Sequence, residues 1–246
     1  MPKRILILLA CFFMMGVTQS YGQQQRYEIG LSAGYTRNTL TTDNGSRSFT
    51  RNYPLNGFQV AIPMQYHVND WFGVQLDLAY IQKNYALRRT GFFEGVENEI
   101  TNSFIQAPLM AHFSFGGEDL RGFLNLGGFA GYWASSRIRG ANLDPFTPGS
   151  GWEDDEQLFH YTQISGLYRS NEGVEFDKQR DRRFEAGLLG GVGMEYRVSP
   201  HYKVFAEARY QYSLTDLQKN YMINQIPRYN NTFGVQLGVL YGFGGR

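Results

Sequence analysis

From Tyr27 onward the chain alternates apolar or aromatic side chains with Gly or polar ones, in runs of about ten residues. Tyr27, Ile29, Leu31, Ala33 and Tyr35 fall on one face, and Glu28, Gly30, Ser32, Gly34 and Thr36 on the other. A period of two is that of a β-strand. The far end repeats it, with Phe233, Val235, Leu237, Val239, Tyr241 and Phe243 set against Gly234, Gln236, Gly238, Leu240 and Gly242. Between these ends the outward rows of six more strands are Phe58 to Val68, Phe72 to Tyr80, Leu109 to Phe115, Leu124 to Tyr132, Phe184 to Tyr196 and Val204 to Tyr212.

The connections alternate in length. Asn69-Asp70, Gly116-Gly117-Glu118-Asp119 and Ser199-Pro200 are short turns, whereas residues 37–56, 83–101, 134–182 and 215–230 read as polar inserts. All short turns then lie at one end and all inserts at the other. Repetition with this asymmetry predicts an all-β fold, an eight-stranded antiparallel transmembrane β-barrel with short periplasmic turns and long extracellular loops. A soluble eight-stranded barrel turns its apolar face inward. Here the face opposite the aromatics carries Gly and charge, which suits a narrow lumen filled by side chains.

Aromatics also collect at both strand ends. Tyr66, Trp71, Phe115, Tyr196, Tyr202 and Phe243 form a row at the turn end, and Tyr35, Tyr80, Tyr132, Trp133 and Tyr212 one at the loop end. Two such girdles bracket an apolar band. Pro63 and Pro108 fall inside strands, where a missing N–H usually requires a bulge, so the phase over residues 104–107 stays open.

Composition narrows the reading. Aromatics are 16% of residues and Gly numbers 29, while a net charge of +1 implies no nucleic-acid partner. A mean hydropathy of -0.39 excludes a helical membrane bundle. The one long apolar run, Ile5 to Val17, follows Lys3-Arg4 and precedes small residues at Ser20 and Gly22. It is too short to span a bilayer and reads as a signal peptide over residues 1–22, leaving a barrel domain over 23–246. Cys11, in a weak lipoprotein-like context, is then removed, and the mature chain has no thiol.

The inward rows place Glu28, Asp77, His112, Glu185, Glu195, Arg197, Lys203, Glu207 and Arg209 in the lumen. Unpaired buried charge costs several kcal/mol, so a mixed-sign set in a narrow barrel forms a neutralising plug, with an ion or proton path as the alternative. Polar changes at Gln75 or Gln236 should then cost much less than charges on the outward face. No catalytic set converges: His67 and His201 lie near turns, His112 in the lumen and His160 in an insert beside Ser165 and Asp155. Residues 187–193 are Gly-rich but lack the Lys-Ser/Thr of a phosphate loop, and Glu153 to Glu156 lack EF-hand spacing. Neither an enzyme nor any cofactor or metal is expected. The insert 134–182, with Trp152, Phe159, Tyr161 and Tyr168 as candidate contacts, is the expected working surface.

Ala107-Pro108-Leu109, the run 190–196 (Gly-Gly-Val-Gly-Met-Glu-Tyr) and the run 207–214 (Glu-Ala-Arg-Tyr-Gln-Tyr-Ser-Leu) resemble, in order and spacing, the PorT-like outer-membrane β-barrel family. The resemblance covers essentially the mature chain. It implies the outer membrane of a Gram-negative bacterium, contact with its lipid, and an envelope binding or secretion-accessory role connected with type IX secretion. A narrow channel for small solutes is the alternative from the barrel itself.

Overall fold

The computed structural model describes residues 26–42, 50–148, 165–220 and 226–244. Residues 1–25, including the expected signal peptide and Cys11, lie outside that set. Ten strands are present among the described residues: β1 (Tyr27–Thr42), β2 (Thr50–His67), β3 (Phe72–Gln82), β4 (Tyr85–Arg89), β5 (Glu97–Gly116), β6 (Leu120–Pro148), β7 (Ser165–Gly173), β8 (Phe184–Arg197), β9 (Tyr202–Ser213) and β10 (Arg228–Phe243). The helical element is one 3₁₀ turn, Gly91–Phe93.

Eight of these strands close a ring. The antiparallel order is β1-β2-β3-β5-β6-β8-β9-β10, and β10 returns to β1 through the pairs Tyr27↔Phe243 to Thr42↔Arg228. Closure leaves no free edge in the ring, as lipid demands of every backbone polar group. Its outward rows are exposed and apolar, among them Leu31, Leu78, Leu188 and Leu237, while Ser32, Asp77, Gln236 and their in-phase neighbours are buried. The apolar face therefore points away from the lumen.

The other two strands correct the expectation of loops. Residues 83–101 contain β4, which pairs with β2 from Pro54↔Tyr85 to Thr50↔Arg89 and with β5 from Tyr85↔Ile100 to Arg88↔Glu97. Of the expected 134–182 insert, residues 134–148 continue β6 and 165–173 form β7, paired from Arg137↔Gly173 to Pro148↔Ser165. The expected insert 37–56 is likewise largely the ends of β1 and β2. Above the bilayer neither sheet face needs to be apolar, so alternation stops marking strands there. Backbone pairing continues regardless.

Three local expectations also change. Pro63 and Pro108 cause no bulge: the registers Ile29↔Met64 and Ser32↔Ala61, and Leu76↔Leu109 and Ala79↔Gln106, stay in phase on either side of a short unpaired gap. The shift instead lies where Ser103↔Ser135 gives way to Phe104↔Trp133, making Ala134 an extra residue on β6. The open phase over residues 104–107 is settled by alternation that runs unbroken through Pro108, with Phe104 fully buried and Ile105 exposed. Trp133, in phase with inward Phe129 and Gly131, is buried and stacked on Phe104 at 5.8 Å, rather than in the loop-end girdle beside Tyr132.

Candidate functional site: the packed lumen

Inward side chains meet in three tiers. At the turn end, Lys203 on β9 reaches Glu28 on β1, Nζ to Oε1 2.7 Å, and lies 3.6 Å from Glu195 on β8. His67 on β2 places Nε2 3.3 Å from the same Glu28 oxygen. His112 on β5 shares a 2.8 Å hydrogen bond with Asn125 Oδ1 and lies edge-on to His67. Phe123, Phe205 and Leu240 pack together at this end.

The middle tier crosses the ring. Arg209 Nη1 donates to Asp77 Oδ2 at 2.8 Å, while Nη2 and Nε donate to Glu207 at 2.8 and 3.1 Å. Two carboxylates thus face one guanidinium, and amides supply the missing positive character. Gln75 Nε2 donates to Asp77 at 2.7 Å, Asn125 Nδ2 to Glu207 at 3.0 Å and Gln236 Nε2 to Glu207 at 2.7 Å. Gln59 and Ser32 in turn donate to Gln236 Oε1. Gly191 makes the room, since a Cβ there would fall on the Glu207 carboxylate.

The loop-end tier is built on Lys83 and Glu185, 2.8 Å apart and both essentially without solvent contact. Gln106 and Asn230 donate to the two Glu185 oxygens at 3.1 and 3.0 Å, and Lys83 lies over the Phe129 ring at 4.6 Å. Above it Leu40, Ile81, Tyr85, Ile100, Phe104, Trp133 and Leu217 form an apolar layer.

A strap over residues 174–183 completes a roof. Phe176 meets the Trp133 ring edge-on at 4.9 Å, and Arg183 is held between Phe176 and Tyr132 at 4.2 and 4.4 Å. Arg183 Nε and Nη2 donate to the carbonyls of Trp133 and Ala134 at the bulge. Asp181 bridges to Gln218, tying this strap to residues 216–219. Burial acts to raise its pKa, but hydrogen bonds from Arg180 and the Asp177 amide, with nearby Arg charge, hold it below the usual aspartate value.

Of the nine lumen residues read from sequence, Glu28, Asp77, His112, Glu185, Glu195, Lys203, Glu207 and Arg209 are buried in these tiers. Arg197 is half-buried at the turn end, outside the tiers, its amide bonded to Asp119. Lys83 was missed, although it continues the inward row Asp77, Ala79, Ile81; its charge reads as the start of a loop. Gln75 and Gln236 were placed inward but left out of the cluster, and Gln106 and Asn125 were missed, because only charges were counted. Their burial in hydrogen bonds gives changes at Gln75 and Gln236 a cost of their own, through the partners left unpaired.

Among the candidate loop contacts, Trp152, Phe159 and Tyr161 lie outside the described residues, as do His160, Asp155 and Glu153 to Glu156. Tyr168 is on β7, exposed beside Leu167. His201 is exposed and stacks on Tyr241. Among the described residues no three His, Cys, Asp or Glu side chains converge to hold a metal ion.

A family model described as outer membrane protein beta-barrel domain matches residues 19–219. Among solved structures, OprG from Pseudomonas aeruginosa is similar at 12% identity, with a TM-score of 0.46 over 90% of this chain and 98% of that one. Ail from Yersinia pestis, crystallised with the heparin analogue sucrose octasulfate, is 16% identical, with a TM-score of 0.41 over 89% of this chain and 99% of that one. Neisserial surface protein A is 15% identical, with a TM-score of 0.41 over 87% and 97% respectively. No curated protein matches the chain in sequence.

Proposed function

Because the chain belongs to the family of outer membrane protein β-barrel domains, we propose that it works as a closed anchor whose extracellular strand extensions and loops bind another envelope component. It resides in the outer membrane of a Gram-negative bacterium. The observation that carries this reading is the filled lumen. Asp77 and Arg209 meet across the ring, and apolar layers lie above the loop-end tier and between the turn-end and middle tiers. A barrel closed in this way has its outer surface left for recognition, chiefly the β6–β7 hairpin with Leu167 and Tyr168 exposed on it. The PorT-like resemblance makes a secretion accessory, connected with type IX secretion, the specific form of this role. It is proposed as a non-enzyme.

Reconstitution in planar bilayers and photo-crosslinking from position 168 in cells test the proposal together. No ohmic steps and a discrete crosslinked envelope protein are expected. Regular conductance steps from wild-type protein would favour the second reading, a narrow channel. One observation favours that alternative: both Glu195 carboxylate oxygens and His112 Nε2 are buried without a hydrogen-bond partner among the described residues. Such groups would suit a hydrated ion passing the turn-end tier.

A further inference from the structure

The tall side of the barrel, where β2, β4, β5, β6 and β7 rise past the loop-end aromatics, carries a pattern of charge on its outward face that the closed-anchor reading does not use. Directly paired residues on antiparallel strands share a face. The register runs Arg51↔Arg88↔Glu97↔Ala141↔Arg169 across all five strands. Two residues nearer the membrane it runs Tyr53↔Ala86↔Glu99↔Arg139↔Asn171, and two nearer again Thr101↔Arg137↔Gly173. Buried Ile100 and Phe104 fix the opposite face of β5 as the inner one, so these rows look outward. Five arginines and two glutamates share this face, all of them exposed.

The acids do not neutralise it. Arg88 pairs with Glu97 at 3.4 Å, but Arg51, Arg137, Arg139 and Arg169 form no ion pair among the described residues. Arg51 sits directly opposite Arg88, an arrangement of like charges that destabilises a sheet unless an anion lies between them. Every cation on this face is Arg, the side chain whose planar fork matches phosphate oxygens in pairs, whereas two of the lysines, Lys83 and Lys203, are buried in the lumen.

Height selects the partner. Ile105 pairs with Tyr132 at the girdle, Thr101 with Arg137, and Glu97 with Arg88. At about 3.3 Å per residue and a strand tilt of about 40°, the arginines stand roughly 10 to 20 Å above the girdle. A phospholipid headgroup layer is only about 5 to 8 Å deep. A phosphorylated glycolipid, whose sugars build a deeper polar layer, reaches the whole patch.

We propose that this arginine face binds the phosphate groups of the glycolipid in the outer leaflet. The bound lipid would supply the anions that Arg51, Arg137, Arg139 and Arg169 lack and would brace the tall wall sideways in the sugar layer. This goes beyond the anchor reading and stands whether or not the hairpin recruits a partner.

The test uses the full chain in nanodiscs of zwitterionic phospholipid, titrated with three probes: lipopolysaccharide, the same lipid after enzymatic dephosphorylation, and its lipid-free phosphorylated core oligosaccharide. Lipopolysaccharide should bind at least tenfold more tightly than either of the others, and binding should weaken as salt is raised. The R51Q/R139Q/R169Q variant should lose at least tenfold, and R139Q alone should weaken binding measurably, whereas R26Q, a single Arg→Gln change at the turn end, should bind as wild type does. Heat-modifiable migration on gels confirms that each variant is folded. Equal binding of phosphorylated and dephosphorylated lipid, undiminished binding by the triple variant, or an equal loss in R26Q would overturn the proposal. If the free oligosaccharide binds as tightly as the lipid, the partner is a soluble polyanion and the lipid assignment fails.

Discussion

Asp77 and Arg209 stand on β3 and β9, four places apart in a ring of eight, and are joined at 2.8 Å through the middle of the barrel. Removing one partner of a buried pair leaves an uncompensated charge, at a typical cost of about 3–5 kcal/mol. Arg209→Met should pay that cost, because it abandons both Asp77 and Glu207. Asp77→Asn should cost less, about 1–3 kcal/mol, since Arg209 keeps Glu207. Urea unfolding in lipid vesicles measures both, and equal losses would contradict the assignment of Glu207 as the second holder.

The lipid-facing and lumen-facing rows should respond to different chemistry. Leu76→Arg or Val235→Arg should each cost about 2–4 kcal/mol in a bilayer. Thr39→Arg, outward but beyond the Tyr35 girdle position, should stay within about 0.5 kcal/mol. Gln236→Leu, which takes one of two donors from Glu207 Oε2 and strands the Gln59 and Ser32 donors in the lumen, should cost about 1–3 kcal/mol even though it is apolar. A neutral Gln236→Leu would mean the amide network is dispensable.

The roof is open to a spectroscopic test. With Trp71 and Trp152 replaced by Phe, emission comes from Trp133, buried under Phe176. Acrylamide should quench it weakly, and Phe176→Ala should raise the quenching constant at least twofold. No change would show that the strap does not shield the mouth.

Acid should loosen the strap late. The Asp181 pKa is depressed in the folded chain, so its stabilising contribution is present above the unfolded value and fades only as pH falls through the lower folded value. Hydrogen exchange at the Arg182 and Lys219 amides, corrected for the intrinsic pH dependence, should show constant protection from pH 7 to about pH 4 and less below. Asp181→Asn should be less protected throughout. Loss of protection near pH 6 in the wild type would point to another group.

How much of this was legible in the sequence depended on what each face touches. Lipid imposes one demand on the outward rows, so Leu31, Leu76 and Val235 announce the strands and their phase directly. Inside the lumen the demand is mutual satisfaction, which Gln, Asn and Lys meet as well as Asp and Arg, so the row holding Gln75, Asp77, Ile81 and Lys83 has no uniform chemical mark. Trp133 was misplaced because it was counted with the girdle aromatics beside Tyr132, although alternation from Phe129 and Gly131 puts it inward. Above the girdle the outward face is wet and polar, and the inward apolar positions, such as Tyr85, Leu87 and Ile100, are too few on each strand for β4 and β7 to leave a clear periodic trace. The paired lengths of β5 and β6 had to be seen.

All sixteen residues of β1 find their partners on β10, the strand formed by the last part of the described chain, more than 180 positions away. Few contacts are less local, and contacts of that kind form slowly. Until β10 arrives, β1 and β9 each expose a row of unpaired amides and carbonyls that no membrane interior tolerates. Insertion therefore cannot proceed strand by strand as the chain emerges. The barrel must be delivered whole, held unfolded on its way, and sealed along one seam in a late event, which makes the β1–β10 junction the place where assembly is either completed or lost.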